Sequence, residues 1–239
     1  MFFAHRTGVP VTRFQVMGER SSGTNFAKRV LGRNTPLKPT EALGWKHGFA
    51  QMAAVPADTV IVCMVRNAVD WVRSMHAKPW HCSAEMQRLD LSGFIRAEWD
   101  SLVDRDRYFE EAASLGLTGQ PLQHDRHPLT GARFADIFAL RQAKLAGLSS
   151  YLARDCNVVF ARMETLIGDP EIFVAAFSAA FALPAPGGNF RGITRRLGSK
   201  FKPALDHRPA TPAQLSPADL QHLKSRLDPA QEAALGYSY

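Results

Sequence analysis

The chain has 239 residues, 46% of them hydrophobic, enough to bury a sizeable core, and a formal charge of +7 with a pI near 9.6 that favours acidic ligands. Three scattered cysteines exclude a disulfide framework, so a reducing cytoplasmic setting is expected. No apolar run reaches the roughly 18 residues of a membrane helix, and Met1–Arg6 is too short in apolar length for a signal peptide, which argues against stable membrane insertion.

In chain order, the first signal is the apolar run Phe14-Gln15-Val16-Met17, then Gly18-Glu19-Arg20-Ser21-Ser22-Gly23-Thr24-Asn25, then a helix-like Phe26–Leu31. Strand, small-residue loop and helix form a phosphate cradle, because backbone N–H groups and a helix N-terminus converge on the anion. The glycines are spaced as in a Walker A loop, yet Thr24 and Asn25 stand where its Lys and Ser/Thr belong. Magnesium–nucleoside triphosphate chemistry is therefore poorly served. Trp45-Lys46-His47-Gly48-Phe49 follows, at a second strand end or its following loop. Lys46 and His47 are adjacent, so both can face one reacting centre only if the chain turns at Gly48.

Thr59–Val65 is a continuous apolar run, the pattern of a parallel strand buried on both faces. Arg66 sits at its C-terminal end, where binding crevices of open α/β sheets lie, with Ser74 two helical turns on. Residues 116–131 read as a loop-rich surface excursion, and His124 and His127 within it as ordinary loop polar groups, so no metal site is expected. Arg105, Arg107 and Arg126 interleave with Asp104, Asp106 and Asp125 as a solvated mixed-charge face, with no nucleic-acid stripe. Asp169-Pro170 predicts a helix start, and Phe173, Phe177 and Phe181 a core-facing stripe. Ser216-Pro217 opens a further helix with Leu220, Leu223 and Leu227 on one face.

Taken together, the first loop, the buried strand, Arg66 and Ser74 resemble the sulfotransferases that use 3′-phosphoadenosine 5′-phosphosulfate. The resemblance implies a single α/β domain over residues 1–239 with a central parallel sheet flanked by helices, related to P-loop NTPase folds. It implies that Arg20, Ser21, Ser22, Gly23, Thr24 and Asn25 hold the 5′-phosphosulfate and that Arg66 and Ser74 grip the 3′-phosphate. Lys46 would be the electrostatic stabiliser and His47 the base, with no metal. Arg195, Arg196 and Gly198 match the basic glycine-containing segment that closes over the nucleotide. The family's basic loop residue directly precedes Ser-Gly-Thr, where this chain has Ser21, with Arg20 one place earlier; beside Glu164 it has Met163 where the family has Tyr.

The expected reaction is transfer of a sulfuryl group to a hydroxyl or amine of a small molecule or glycan. Two alternatives stand beside it: a P-loop kinase or nucleotide hydrolase, and a non-catalytic nucleotide- or polyanion-binding protein of the same fold.

Overall fold

The computed structural model describes residues 2–184, 188–194, 197 and 200–239. The described residues form five strands, β1 (Phe2–Ala4), β2 (Arg13–Gly18), β3 (Lys38–Pro39), β4 (Thr59–Val65) and β5 (Asn157–Arg162), together with helices. These are α1 (Thr24–Asn34), α2 (Ala68–Ala77), α3 (Ala84–Arg88), α4 (Leu91–Phe94), α5 (Glu110–Ser114), α6 (Ile137–Ser149), α7 (Met163–Gly168), α8 (Pro170–Ala180), α9 (Pro217–Arg226) and α10 (Pro229–Ala234). The chain divides into two compact units, one of residues 1–67 and 144–199, the other of residues 68–143 and 200–239.

The first unit holds the whole sheet, in the order β1-β5-β4-β2-β3. β5, β4, β2 and β3 run parallel, while β1 pairs antiparallel to β5. The sheet is therefore mixed and mostly parallel, so the central parallel sheet expected is joined by one antiparallel strand, β1. Every residue of β4 is buried, as its unbroken run of Val, Ile, Cys and Met requires of a strand covered on both faces. Core residues Phe14, Val30, Leu31, Val62, Met64 and Val159 join the aromatic stripe Phe173, Phe177 and Phe181. Phe173 and Phe177 lie on α8 and Phe181 is its C-cap; the helix starts where the sequence indicates, the Asp169 carboxylate accepting from Ile172 N–H at 3.1 Å, with Pro170 in the first turn.

The second unit is helical and is organised around a buried ion pair. Arg141 of α6 donates twice to Glu232 of α10, at 2.7 and 3.0 Å, with both side chains almost wholly buried. The Arg141 guanidinium also lies over the Trp71 ring at 4.9 Å. Tyr239 completes the array, its hydroxyl donating to Glu232 at 3.3 Å and accepting from Ala68 N–H at 2.6 Å, so that a phenol closes the N-terminus of α2. The excursion at 116–131 departs from its surface reading. Asp125 is 1% exposed and accepts from Trp99 Nε1–H and Ser101 Oγ–H, and Leu122 and Arg126 are buried beside it. A polar-looking stretch is thus pulled inward by a carboxylate that satisfies two buried donors.

Candidate functional site

The C-terminal end of β2 runs into a loop whose shape only certain residues permit. Gly18 lies so close to β4 that a Cβ there would stand 2.6 Å from the Met64 carbonyl oxygen. Ser21 has φ +65° and Gly23 φ +88°, so the chain passes twice through the left-handed region on its way to α1. Such alternation gathers backbone N–H groups into a concavity suited to an anion. Gly23 is also the N-cap of α1 and offers no side-chain oxygen to the first turn, where helical N–H groups lack intrahelical partners. Ser22 is fully buried and donates both its hydroxyl, at 2.7 Å, and its N–H, at 3.3 Å, to the Glu19 carbonyl. It braces the loop from within. Arg20 is 6% exposed, whereas Asn25 is open to solvent.

Lys46 and His47 meet this loop directly. The chain turns at Trp45–Gly48, closed by Gly48 N–H to the Trp45 carbonyl at 2.8 Å, which removes the conflict of facing that an extended strand would impose. Gly18 N–H donates to the Lys46 carbonyl at 2.9 Å, and His47 Nδ1 stands 2.6 Å from the Gly18 carbonyl oxygen. Lys46 Nζ donates to Asn25 Oδ1 at 2.6 Å. Burial draws the Lys46 pKa below the usual lysine value of 10.5, opposed by Glu41 and assisted by Lys28. Trp45 packs edge-on to the His47 ring, centroids 5.2 Å apart.

Arg66 leaves the end of β4 and donates from Nη1 to the Ser21 carbonyl at 3.1 Å, so it too touches the loop. Next to it, Asn67 donates from its backbone N–H and its side-chain amide to Glu164 Oε1, at 2.9 and 2.8 Å. Met163, at the end of β5, covers the loop: a Cβ on Gly23 would stand 3.0 Å from its Cγ. Three parallel strands thus deliver Gly18–Asn25, Arg66 and Met163–Glu164 from their C-terminal ends, as open α/β sheets deliver ligand-binding groups. Two open grooves, lined by Met52–Val55 with Arg154–Cys156 and by Val11–Arg13 with Pro36–Lys38, lie toward the opposite strand ends.

The remaining expected residues are distributed differently. Ser74 lies half-buried on α2, in the second unit. Arg195, Arg196 and Gly198 lie outside the described residues. The segment just before them is tied to the C-terminal end of α1: Asn34 accepts from Arg191 N–H at 2.7 Å, and Arg33 donates to the Gly192 carbonyl at 3.0 Å. That is about 16 Å along an 11-residue helix from the loop.

Other histidines are less suited to proton transfer. His76 is fully buried, its Nε2–H donating to the Leu89 carbonyl and its Nδ1 accepting from the Thr211 hydroxyl; burial first, then the nearby Arg208 charge, lower its pKa. His81 is 4% exposed and bonded through Nδ1 to Asp104 at 2.5 Å. Trp71 and Met75 on α2 are each 1% exposed. His127 Nδ1 accepts from the N–H groups of Leu129 and Thr130, a loop-bracing role, and among the described residues no three metal-ligating side chains gather.

One participant escapes sequence reading altogether. Lys144 of α6 is 6% exposed and donates to the His47 carbonyl at 2.7 Å. Its spacing carries no signal, since its partner lies almost a hundred residues earlier in the chain. In comparisons with protein-family models, curated proteins and solved structures, nothing matches this chain.

Proposed function

We propose that this chain is a sulfotransferase of P-loop NTPase-like fold that takes a sulfuryl group from 3′-phosphoadenosine 5′-phosphosulfate and passes it to a hydroxyl or amine. The observation that carries the proposal is the convergence of the anion-suited loop, Lys46, His47 and Arg66 at adjoining strand ends. The N–H groups of Gly23, Thr24 and Asn25, at the start of α1, would receive the 5′-phosphosulfate. Lys46 can swing from Asn25 to the sulfonate and the departing phosphate oxygen. Ser21 shapes that loop and Ser22 braces it, which reassigns both from ligand contact to support. Arg20, being buried, supplies charge to the loop from beneath, and Lys46 takes the place of the basic loop residue.

The chemistry needs a base. A carbonyl oxygen only accepts hydrogen bonds, so the Gly18 contact places the His47 proton on Nδ1, and the neutral ring carries its lone pair on Nε2. In this arrangement Nε2 takes the acceptor's proton as its oxygen or nitrogen attacks sulfur in line and the phosphate leaves. On this reading Arg66 grips the 3′-phosphate.

Calorimetry tests the reading: 3′-phosphoadenosine 5′-phosphate should bind without magnesium and far more tightly than ADP or ATP. Charge-assisted hydrogen bonds to phosphate are worth about 1.5–3 kcal/mol, so Arg66→Ala should weaken binding roughly ten- to a hundredfold. Equal affinity for the bisphosphate and ADP would sink the assignment, and magnesium-dependent preference for ATP would favour a kinase or hydrolase instead.

A further inference from the structure

Burying an ammonium group is costly unless strong polar partners receive it, so a lysine on the inner side of a helix calls for a reason. Lys144 has two partners of unusual placement. Its Nζ donates to the His47 carbonyl at 2.7 Å and lies 4.0 Å from the centroid of the Phe49 ring, so one cation grips both the Trp45–Gly48 turn and the residue that follows it. Phe49 is in turn held close to α6, because Gly147 has no side chain: a Cβ there would stand 3.4 Å from the Phe49 ring. One helical turn of α6 thus offers a cation and a gap to one short segment.

We infer that Lys144 is a positioning residue for His47, a role that rests on the reading of His47 as the base. His47 is held at two points. Its ring is bonded to the Gly18 carbonyl and its own carbonyl to Lys144, so the peptide unit cannot rotate without breaking one bond or the other. The Gly18 bond keeps the proton on Nδ1; a ring that leaves it reverts toward the Nε2–H form that imidazole side chains prefer in water, and the lone pair moves to the wrong nitrogen. Lys144 touches neither donor nor acceptor, and acts through the backbone of the turn.

The test uses the full chain, with the His47 ring nitrogens followed by ¹⁵N NMR, assigned by loss in His47→Gln, alongside transfer kinetics and calorimetry with 3′-phosphoadenosine 5′-phosphate. Lys144→Met should shift His47 from the Nδ1–H toward the Nε2–H pattern, keep bisphosphate affinity within about twofold, and lower kcat roughly ten- to a hundredfold with little change in donor KM. Lys144→Arg, which keeps a cationic donor, should restore much of the Nδ1–H pattern. If Lys144→Met does not fold, Phe49→Leu, which removes the ring beneath the ammonium, should give the same tautomer shift in weaker form. Unchanged His47 resonances in every folded variant overturn the inference. A parent that transfers nothing, combined with a tautomer shift in Lys144→Met, overturns the sulfotransferase reading and leaves Lys144 as the residue that positions His47.

Discussion

His47 Nδ1 and the Gly18 carbonyl oxygen, 2.6 Å apart, join the turn that carries the candidate base to the end of the strand that opens the anion-suited loop. The same pair of segments is tied a second time by Gly18 N–H to the Lys46 carbonyl. Removing a general base lowers a rate by about 10²–10⁴-fold, whereas removing a merely structural histidine leaves the rate of folded protein nearly intact. His47→Ala should therefore bind 3′-phosphoadenosine 5′-phosphate close to the parent and fail to transfer sulfonate from labelled donor to a panel of phenols, alcohols, amines and glycans. Equal turnover by parent and variant on the best acceptor would remove His47 from the mechanism.

Gly23 is constrained twice, by φ +88° and by Met163. A non-glycine residue in the left-handed region costs about 1–2 kcal/mol, and overpacking adds to it. Gly23→Ala should lower the melting temperature and weaken bisphosphate binding. The double variant Gly23→Ala/Met163→Ala removes the contact and leaves the backbone strain. It should recover part of the binding but little of the melting temperature; identical losses in both would mean that Met163 is not what the added Cβ meets.

Lys46 gives the site a pH dependence whose sign follows from its burial. Its pKa in the folded chain lies below 10.5, so between the folded and unfolded values the unfolded chain binds more protons and stability rises with pH. Anion binding runs the other way, since it favours charged Lys46. Bisphosphate affinity should thus fall with rising pH, starting at a pH below that of an ordinary lysine, and proton uptake should accompany binding there. Lys46→Met should bind more weakly at neutral pH and lose that alkaline dependence; an alkaline profile that survives the substitution would assign it to another group.

The Arg141–Glu232 pair predicts a large stability effect with no direct effect on the loop. Removing one partner of a buried ion pair strands the other charge and costs about 3–5 kcal/mol. Glu232→Gln should lower the denaturation midpoint by that order, while replacing both with apolar residues, Arg141→Met/Glu232→Leu, should be much less harmful. Tyr239→Phe should lose less than Glu232→Gln, because the Ala68 N–H gives up one acceptor and no charge is stranded. Chemical denaturation of the three variants checks the ranking.

The parts of the fold legible in the sequence were those encoded over short stretches. β4 announces itself by six consecutive apolar residues after Thr59, α8 by Asp169-Pro170 and its phenylalanines, and the loop by its glycines and serines. The place of Arg66 after β4 and the turn at Gly48 are legible for the same reason, since each is a local boundary. What stayed hidden depends on partners remote in the chain. That the Ser22 hydroxyl faces the Glu19 carbonyl follows only once the loop closes. Asp125 and Arg126 were read as solvated because their buried partners, Trp99 and Ser101 among them, lie across a turn of irregular chain. Lys144 and the antiparallel β1 were invisible for the same cause.

That remoteness has a consequence for how the chain is made. β2 and β4 find each other within the first 65 residues, but β4 has a second neighbour, β5, at Asn157–Arg162, and β1 has β5 as its partner, Phe2 opposite Phe160. A ribosome must therefore deliver residues 68–143 before the sheet can close, and in that interval β4 keeps one unpaired, wholly apolar edge. Such high contact order slows folding and lengthens the exposure. The vulnerable moment of this protein falls during synthesis, between the fourth strand and the fifth, when an apolar strand awaits a neighbour not yet translated.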